Sequence, residues 1–251
     1  MLHLRIEIQT NPEILKQIME CLSIIDDECF IQFSRDITNF LCSCNATMAH
    51  IIFQNSMFNN PEKSMGVKSN DILKILNVFQ EFDEVSITFK ANSLEFKSEN
   101  SSITRKTFPS EQYEKLNTLL ETEDQFQLSF DKNVIINNGQ MISALKKLDI
   151  IDPFFSLNQD EKTGNLQFFT SNNVVGDSKV IIENCVNIFA LDDKHYYPNE
   201  KLLKILTKFK ENHDLELSVN PNQLLRIKIE DIFPKIKVTY FFYIVPSISP
   251  D

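Results

Sequence analysis

Lysine residues recur on one side of a helical segment near the carboxyl end of the chain. In the segment Asn199–Lys210, Lys201, Lys204 and Lys208 follow i, i+3, i+7 spacing, which places them on one face, opposite the apolar side chains. With Lys210, the segment carries four lysines against one glutamate. A positive helical face of this kind can contact a polyanion. A solvated surface without a ligand is the alternative.

Three further segments have helical periodicity. Lys146 and Lys147 make the third segment positive, whereas acidic residues balance or outnumber Lys16 in the first and Lys74 in the second. In each segment apolar residues recur at i, i+3/i+4 and i+7, which predicts one buried face. The four predicted helices are Pro12–Leu22, Asp71–Gln80, Asn138–Leu148 and Asn199–Lys210.

The chain as a whole is acidic. Of its 251 residues, 25 are Lys or Arg and 35 are Asp or Glu, which gives a formal net charge of −10. Positive charge is therefore concentrated on the later helices, and the remaining surface repels a polyanion.

Signals for catalysis are weak. Four histidines are scattered, and neither GxSxG nor HExxH occurs. Only four glycines are present, which excludes Gly-rich phosphate loops. The acidic pairs Asp26-Asp27 and Asp192-Asp193 fall in predicted turns, where solvated carboxylates are the ordinary interpretation. We predict that the protein is not an enzyme, although catalytic groups can also assemble in space.

The five cysteines favour a reducing compartment. Their odd number and irregular spacing do not suit a disulfide framework. Cys42 and Cys44 have no second Cys/His pair at zinc-site spacing, so we assign them to one face of a strand in the core. We expect neither metal nor cofactor. No apolar run reaches the ~18–20 residues of a membrane span, so no membrane partner is expected either.

The order of helices and strands repeats at half the chain length. The first and third predicted helices start 126 residues apart, and the second and fourth start 128 apart. We therefore predict an α+β protein of two similar domains, each with two helices and antiparallel strands. The strands are predicted at Leu2–Gln9, Glu28–Phe33, Ile37–Cys44, Thr47–Gln54, Glu84–Lys90, Ser93–Ser98, Ser102–Phe108, Gln125–Phe130, Phe154–Leu157, Asn165–Thr170, Lys179–Ile188, Asp214–Val219, Leu224–Ile229 and Lys235–Val245.

An acidic stretch separates the halves. Residues 112–124 carry Leu119 and Leu120 in an otherwise polar context, so we interpret them as a connector with an apolar centre. The predicted domains are residues 1–111 and 125–251. Residues 55–63 and 192–199 are predicted as the longer loops.

Three segments resemble the DNA sliding clamp family, that is, proliferating cell nuclear antigen and its archaeal relatives. Ser64-Met65-Gly66-Val67 followed by the Lys74-Ile75-Leu76 helix is similar to the family's strand and second helix. The ending Tyr243-Ile244-Val245-Pro246 resembles the last hairpin of such clamps. The segment Asn172–Ile182 is similar to the turn and edge strand at their subunit boundary.

The resemblance implies a ring-forming DNA clamp. Subunits would join edge to edge as a homotrimer, with helices lining a hole for duplex DNA. The implied DNA contacts are Lys16, Lys74, Lys146, Lys147, Lys201, Lys204, Lys208 and Lys210. The implied subunit edges, Arg105–Tyr113 and Lys179–Glu183, include Arg105, Tyr113, Lys179, Ile181 and Glu183.

A groove for partner peptides is also implied. It would take anchors from DNA polymerase and other replication or repair enzymes, while a clamp loader would open the ring. The implied groove residues are Asn45, Ala46, Thr47, Met48, Leu119, Leu120, Tyr243, Ile244, Val245 and Pro246. Alternatively, Leu119 and Leu120 staple the connector to the sheet.

The expected function is a polymerase processivity factor, in the nucleus of a eukaryote or otherwise in the cytoplasm. One alternative is a subunit of a heterotrimeric DNA-damage checkpoint clamp. An alternative of another class is an enzyme or ligand-binding protein with a duplicated α+β fold.

Overall fold

The computed structural model describes residues 7–34, 37–55, 63–79, 85–90, 92–108, 130, 133–160, 162–183, 195–234 and 236–248. Within them, the helices are α1 (Pro12–Ile25), α2 (Ser69–Leu76), α3 (Asn138–Asp149) and α4 (Glu200–Leu206). The strands are β1 (Glu7–Thr10), β2 (Glu28–Phe33), β3 (Ile37–Cys44), β4 (Thr47–Asn55), β5 (Lys63–Lys68), β6 (Val85–Lys90), β7 (Ser93–Lys97), β8 (Ser102–Lys106), β9 (Asn133–Asn137), β10 (Phe154–Gln159), β11 (Leu166–Asn172), β12 (Gly176–Ile182), β13 (His195–Pro198), β14 (Asp214–Val219), β15 (Leu225–Phe233), β16 (Ile236–Ile244) and β17 (Ser247–Ile248).

The chain divides into two compact units. The first contains Met1–Ser43, Ala49–Glu121 and Glu230–Thr239, and the second contains Cys44–Met48, Thr122–Ile229 and Tyr240–Asp251. Two short segments are thus grouped differently from the predicted domains: Cys44–Met48 with the second unit and Glu230–Thr239 with the first. The predicted connector lies outside the described residues.

The first unit combines two antiparallel sheets with a helix pair. One sheet has the order β1-β6-β7-β8, and β5-β2-β3-β4 are neighbours in the other. Leu15 of α1, Ile72 of α2, Ile31 of β2 and Phe96 of β7 line the same apolar cavity, so both helices and both sheets share one core. This shared core is what holds the short α2 in place, because a helix of two turns is marginal by itself.

The second unit repeats this plan. Its sheets have the orders β12-β11-β10-β13-β17 and β16-β15-β14-β9. The rings of Phe155, Phe168 and Tyr197 pack with centroids 5.6–5.9 Å apart, joining β10, β11 and β13. Phe209, just beyond α4, meets Tyr240 of β16 edge-on at 4.9 Å.

Helices α1 and α3 start at residues whose side chains cap them. In α1, the Asn11 side chain accepts a hydrogen bond from the Glu13 N–H at 2.8 Å, and Pro12 follows as the first helical residue. In α3, Asn137 and Gln140 form a capping box. The start of α2 is tied down by the Ser69 N–H, which donates to the Asp27 carbonyl at 2.7 Å.

The ends of α2 and α4 match. Each helix is followed by two i→i+3 bonds, from the Val78 and Phe79 N–H groups in the first unit and from Lys208 and Phe209 in the second, all between 2.9 and 3.2 Å. The tighter turns end α4 at Leu206, so its predicted extension to Lys210 is wrong. They also bury the aromatic side chain that follows each helix.

Several predicted bounds need correction. The predicted loop at 192–199 contains β13, which forms because Tyr197 is buried against the Phe155 ring. The predicted strand Lys179–Ile188 starts earlier than predicted, because β12 pairs in register with β11 from Gly176 to Ile182, and its residues 184–188 lie outside the described residues. The sequence did not predict β9 and β17, and most of the predicted strand Gln125–Phe130 lies outside the described residues. The bounds of β2, β3 and β14 are as predicted.

Cys42 and Cys44 belong to β3, where Cys42 is buried and Cys44 half-buried. The buried Cys29 precedes them on β2, and burial holds the pKa of its thiol well above the ordinary value. Among the described residues, no group of three or more His, Cys, Asp or Glu side chains is placed to share a metal ion.

A row of hydrogen-bonded polar side chains crosses the first unit's sheet. Asn39 donates from Nδ2 to Gln32 Oε1 at 3.2 Å, and its Oδ1 lies 3.1 Å from His50 Nε2. Burial lowers the pKa of His50 to about 4. Folding therefore favours the neutral imidazole, whereas the unfolded chain binds a proton below about pH 6.5.

This difference predicts an acid-sensitive stability. Stability is full above about pH 6.5 and is lost as the pH falls toward 4, with about 2 kcal/mol lost between pH 7.5 and pH 5. A His50→Gln variant should lose less over this interval, by roughly 5 °C in melting temperature. Thermal melts of both proteins at the two pH values measure the effect, and equal losses would contradict it.

Candidate nucleic-acid interface and partner-docking surfaces

The predicted DNA-contact lysines of the first unit are paired with carboxylates. Lys16 on α1 lies 2.6 Å from Glu13, and only 17% of its side chain is exposed. Lys74 on α2 lies 3.9 Å from Asp71, with 79% of its side chain exposed. A phosphate group would therefore compete with a carboxylate at both positions, most strongly at Lys16.

The lysines on α3 have no such partner among the described residues. The apolar face of α3 is buried, whereas Lys146 and Lys147 are exposed in its last turn. Within the part of the chain that the structure describes, neither lysine forms an ion pair. Cations near a helix carboxyl end interact favourably with the helix dipole. Because both side chains are exposed, their ammonium groups are accessible to an anion.

The lysine stripe of α4 differs in part from the prediction. Lys204 and Lys208 are exposed, but Lys201 is half-buried and Lys208 lies beyond the helix. Lys204 donates to Glu200 Oε1 at 2.6 Å, and this hydrogen bond lowers the pKa of Glu200. Lys210 is exposed.

The carboxyl ends of α2 and α4 differ in positive charge. Lys74-Ile75-Leu76 and Lys204-Ile205-Leu206 are identical triplets 130 residues apart. The four residues that follow are Asn-Val-Phe-Gln in the first unit and Thr-Lys-Phe-Lys in the second. The two units thus share one backbone arrangement, and two extra lysines distinguish the second.

The predicted edge residue Arg105 lies on β8, the last strand in the described order of its sheet. It is exposed and forms an ion pair with Asp71 of α2. Beside it opens a cleft of about 500 Å³, whose lining includes the apolar side chains of Val67, Ile72 and Phe108. Phe108 is 37% exposed there.

The other predicted edge lies on β12, the terminal described strand of the second unit's five-stranded sheet. Lys179 and Glu183 are exposed, and Ile181 is 50% exposed. At the tip of the preceding turn, Val174 and Val175 are also exposed. A strand edge with apolar side chains of this kind is a surface that another strand can cover.

The structure brings two of the predicted partner-binding segments together. The Val245 N–H donates to the Ala46 carbonyl at 2.8 Å, which joins the turn Asn45–Met48 to the tail Tyr243–Pro246. We call these two segments the tail–turn surface. Val245 is 52% exposed, whereas Tyr243 and Ile244 are buried. Leu119, Leu120 and Tyr113 lie outside the described residues.

Sequence reasoning missed an aromatic and cationic cluster next to the tail. The Arg226 guanidinium lies 4.2 Å from the centroid of the Phe130 ring, and that ring lies 6.2 Å from the ring of Tyr243. Phe130 and Arg226 are far apart in sequence, and no local motif links them. Only the strand order of the sheet places them together.

The three described histidines lie on separate parts of the fold. His50, His195 and His213 lie on β4, on β13 and before β14, and each is half-buried. No described helix is long and apolar enough to cross a membrane.

Sequence comparison gives no relatives: no protein-family model matches the chain, and no curated protein matches it significantly.

Comparison of structures gives full-length matches. Proliferating cell nuclear antigen from A. fulgidus, solved with the C-terminal region of FEN-1 bound, matches with a TM-score of 0.71 at 14% identity, over 98% of this chain and 99% of that one. The Entamoeba histolytica antigen matches with a TM-score of 0.69 at 11% identity, over 99% and 100%. A putative DNA polymerase III beta subunit from Eubacterium rectale matches with a TM-score of 0.73 at 16% identity, over 96% of this chain and 65% of that one.

The fold is therefore a duplicated α+β domain with antiparallel sheets and, in the described part of the chain, two helices per copy. It is the fold of the DNA sliding clamps, and it extends over nearly the whole chain. The predicted fold class is confirmed.

The lysine geometry leads to a test. A Lys146→Ala/Lys147→Ala variant should lower the salt slope of DNA association by up to ~1.8, because each phosphate contact contributes ~0.9. A Lys16→Ala variant should change it less, since Glu13 already pairs with that lysine. The control is Lys97→Ala/Lys162→Ala, which removes the same charge from two exposed lysines on β7 and in the β10–β11 turn. Fluorescence anisotropy with duplex DNA across a salt series measures the slopes. Equal slopes for the two double variants would exclude α3 as a DNA contact.

Proposed function

We propose that this protein is a DNA sliding clamp, a non-enzymatic processivity factor that encircles duplex DNA and tethers DNA polymerases and other replication or repair enzymes. The observation that carries the proposal is the match of the whole duplicated fold to clamp structures, over 98% of this chain and 99% of the other. The lysines exposed on the opposite side from the apolar helix faces support it.

The electrostatics suit a ring that slides. The proposed contacts are exposed ammonium groups, which attract phosphates without reading bases. The whole chain has a net charge of −10 although these helices carry lysines, so the surface elsewhere is acidic and disfavours DNA. A closed ring needs no tight contact, because its hold on the DNA is topological.

A topological hold predicts a specific dependence on DNA ends. A ring can thread onto a short linear primed template without a loader, so the protein should stimulate a polymerase on that template. Streptavidin bound to biotin at both ends should abolish the stimulation, although every phosphate contact remains available. Primer-extension length measures the effect. Equal stimulation on open and blocked templates would contradict encirclement.

Two strand edges support assembly into a homotrimer. In one unit β8 lies at a described sheet edge beside a cleft whose lining is partly apolar. In the other, β12 exposes Ile181, and the turn before β12 exposes Val174 and Val175. Edge-to-edge pairing would satisfy the backbone groups of both strands and cover the apolar side chains. Because the two edges differ, the contact is heterologous, and repeated rotation can close it into a ring.

The assembly is tested by mass. Native mass spectrometry or sedimentation should give three times the chain mass of 29.2 kDa. Ile181→Asp should shift the protein toward monomer, because it places an uncompensated carboxylate in the contact next to Glu183. The control Ile135→Asp changes a comparably exposed isoleucine, 66% against 50%, on the edge strand β9. Equal masses for the two variants would remove β12 from the interface.

A monomer that forms a ring only with paralogous chains would point instead to a checkpoint clamp subunit.

We place the protein in the nucleus if the source is a eukaryote, and otherwise in the cytoplasm. A clamp loader would open the ring onto DNA without free ends.

The tail–turn surface is the proposed docking site for partner peptides. The matched A. fulgidus structure holds the C-terminal region of FEN-1, which supports a short peptide as the ligand. Val245 is exposed on a tail whose backbone is already tied to Ala46, so the surface is fixed before a peptide arrives. Fixing a site in advance reduces the entropy lost on binding.

A further inference from the structure

Arg226 makes two kinds of contact on β15. It lies between the buried residues Leu225 and Ile227 along the strand, so its side chain projects from the opposite face of the sheet. Its guanidinium carbon lies 4.2 Å from the Phe130 ring centroid and 5.8 Å from that of Phe241. Both distances are within the range of a cation–π interaction.

Arg226 and Lys228 share one polar partner, the carboxylate of Glu216. Its Nη2 donates to Glu216 Oε1 at 3.3 Å and to Ser218 Oγ at 3.2 Å. Lys228 Nζ donates to the other carboxylate oxygen of Glu216 at 3.4 Å. Glu216 therefore keeps a cation when either basic residue is replaced, so the stack on the aromatic rings is the contribution that distinguishes Arg226 from Lys228.

Contacts between aromatic rings connect the Arg226–Phe130 pair to the tail–turn surface. The Phe130 ring lies 6.2 Å from the ring of Tyr243, and Tyr243 stacks on Phe241 at 6.3 Å with an interplanar angle of 22°. Tyr243 is only 3% exposed in this arrangement. Two residues later, Val245 bonds to Ala46. Arg226, Phe130 and Tyr243 thus form a continuous path of contacts to the tail.

We propose that Arg226 is a positioning residue for partner docking: it holds Phe130 against Tyr243 and so fixes one side of the tail–turn surface. The proposal rests on the function proposed above. A planar guanidinium can stack on two rings while bonding to a carboxylate, whereas a lysine ammonium is a point charge. Charge alone is therefore insufficient at this position.

The test compares Arg226→Lys with Lys228→Met. The first variant keeps the charge and loses the planar stack, and the second removes a cation from Glu216 and leaves the stack. In Arg226→Lys, chymotrypsin should cleave after Phe130 several-fold faster under native conditions, as followed by mass spectrometry. In Lys228→Met, the rate should stay near that of the wild type.

Peptide binding gives the functional arm. A synthetic peptide of the FEN-1 C-terminal region should bind Arg226→Lys about 3- to 10-fold more weakly than the wild type, and Lys228→Met should bind normally. A Phe130→Leu variant, which keeps the ion pairs, should resemble Arg226→Lys. Native mass checks that all variants assemble alike.

The outcomes separate the two proposals. Equal cleavage and binding in Arg226→Lys and Lys228→Met would show that Arg226 acts only through charge, which overturns the positioning role. Failure of the wild type to bind the peptide would overturn the docking function itself, while the cleavage rates would still decide whether Arg226 holds Phe130.

Discussion

The structure of both units depends on burying one aromatic side chain after a helix of about two turns. Helices α2 and α4 have eight and seven residues, lengths at which an isolated helix is marginal. Each is retained because its Ile-Leu pair and the following Phe79 or Phe209 are buried. Once that face is fixed, the remaining face must carry Lys74 or Lys204 into solvent. The positions of these lysines are therefore a consequence of packing.

Buried asparagines connect the helices of the second unit. Asn138, at the start of α3, donates to the Leu206 carbonyl at the end of α4 at 3.1 Å. Asn199, just before α4, donates to the Leu145 carbonyl of α3 at 2.9 Å. Both residues are fully buried, and a carbonyl left without a partner there would cost about 1–3 kcal/mol. These reciprocal bonds fix α3 against α4 and so fix the lysines on both helices.

Periodicity predicted the helices and many strands because one face of each element is buried. It failed where tertiary contacts decide the outcome. No local sequence pattern predicts β13 as a strand, because the strand is stabilised by packing of the Tyr197 ring against Phe155. Spacing also placed most of the candidate lysines on exposed faces, and the carboxylates three or four residues earlier could have indicated their ion pairs. The contact between Arg226 and Phe130 had no local signal, because it arises from strand order.

The ion pairs of the helical lysines fit weak, exchangeable contact with DNA. An exposed pair such as Lys204–Glu200 contributes little to stability, so a phosphate could replace the carboxylate at small cost. In the clamp proposed above, the same carboxylate would recapture the lysine when the phosphate leaves. Attraction of this kind would be sufficient to centre a duplex and too weak to hold it at one position. Lys146 and Lys147, without ion-pair partners among the described residues, would then supply the more persistent share of the attraction.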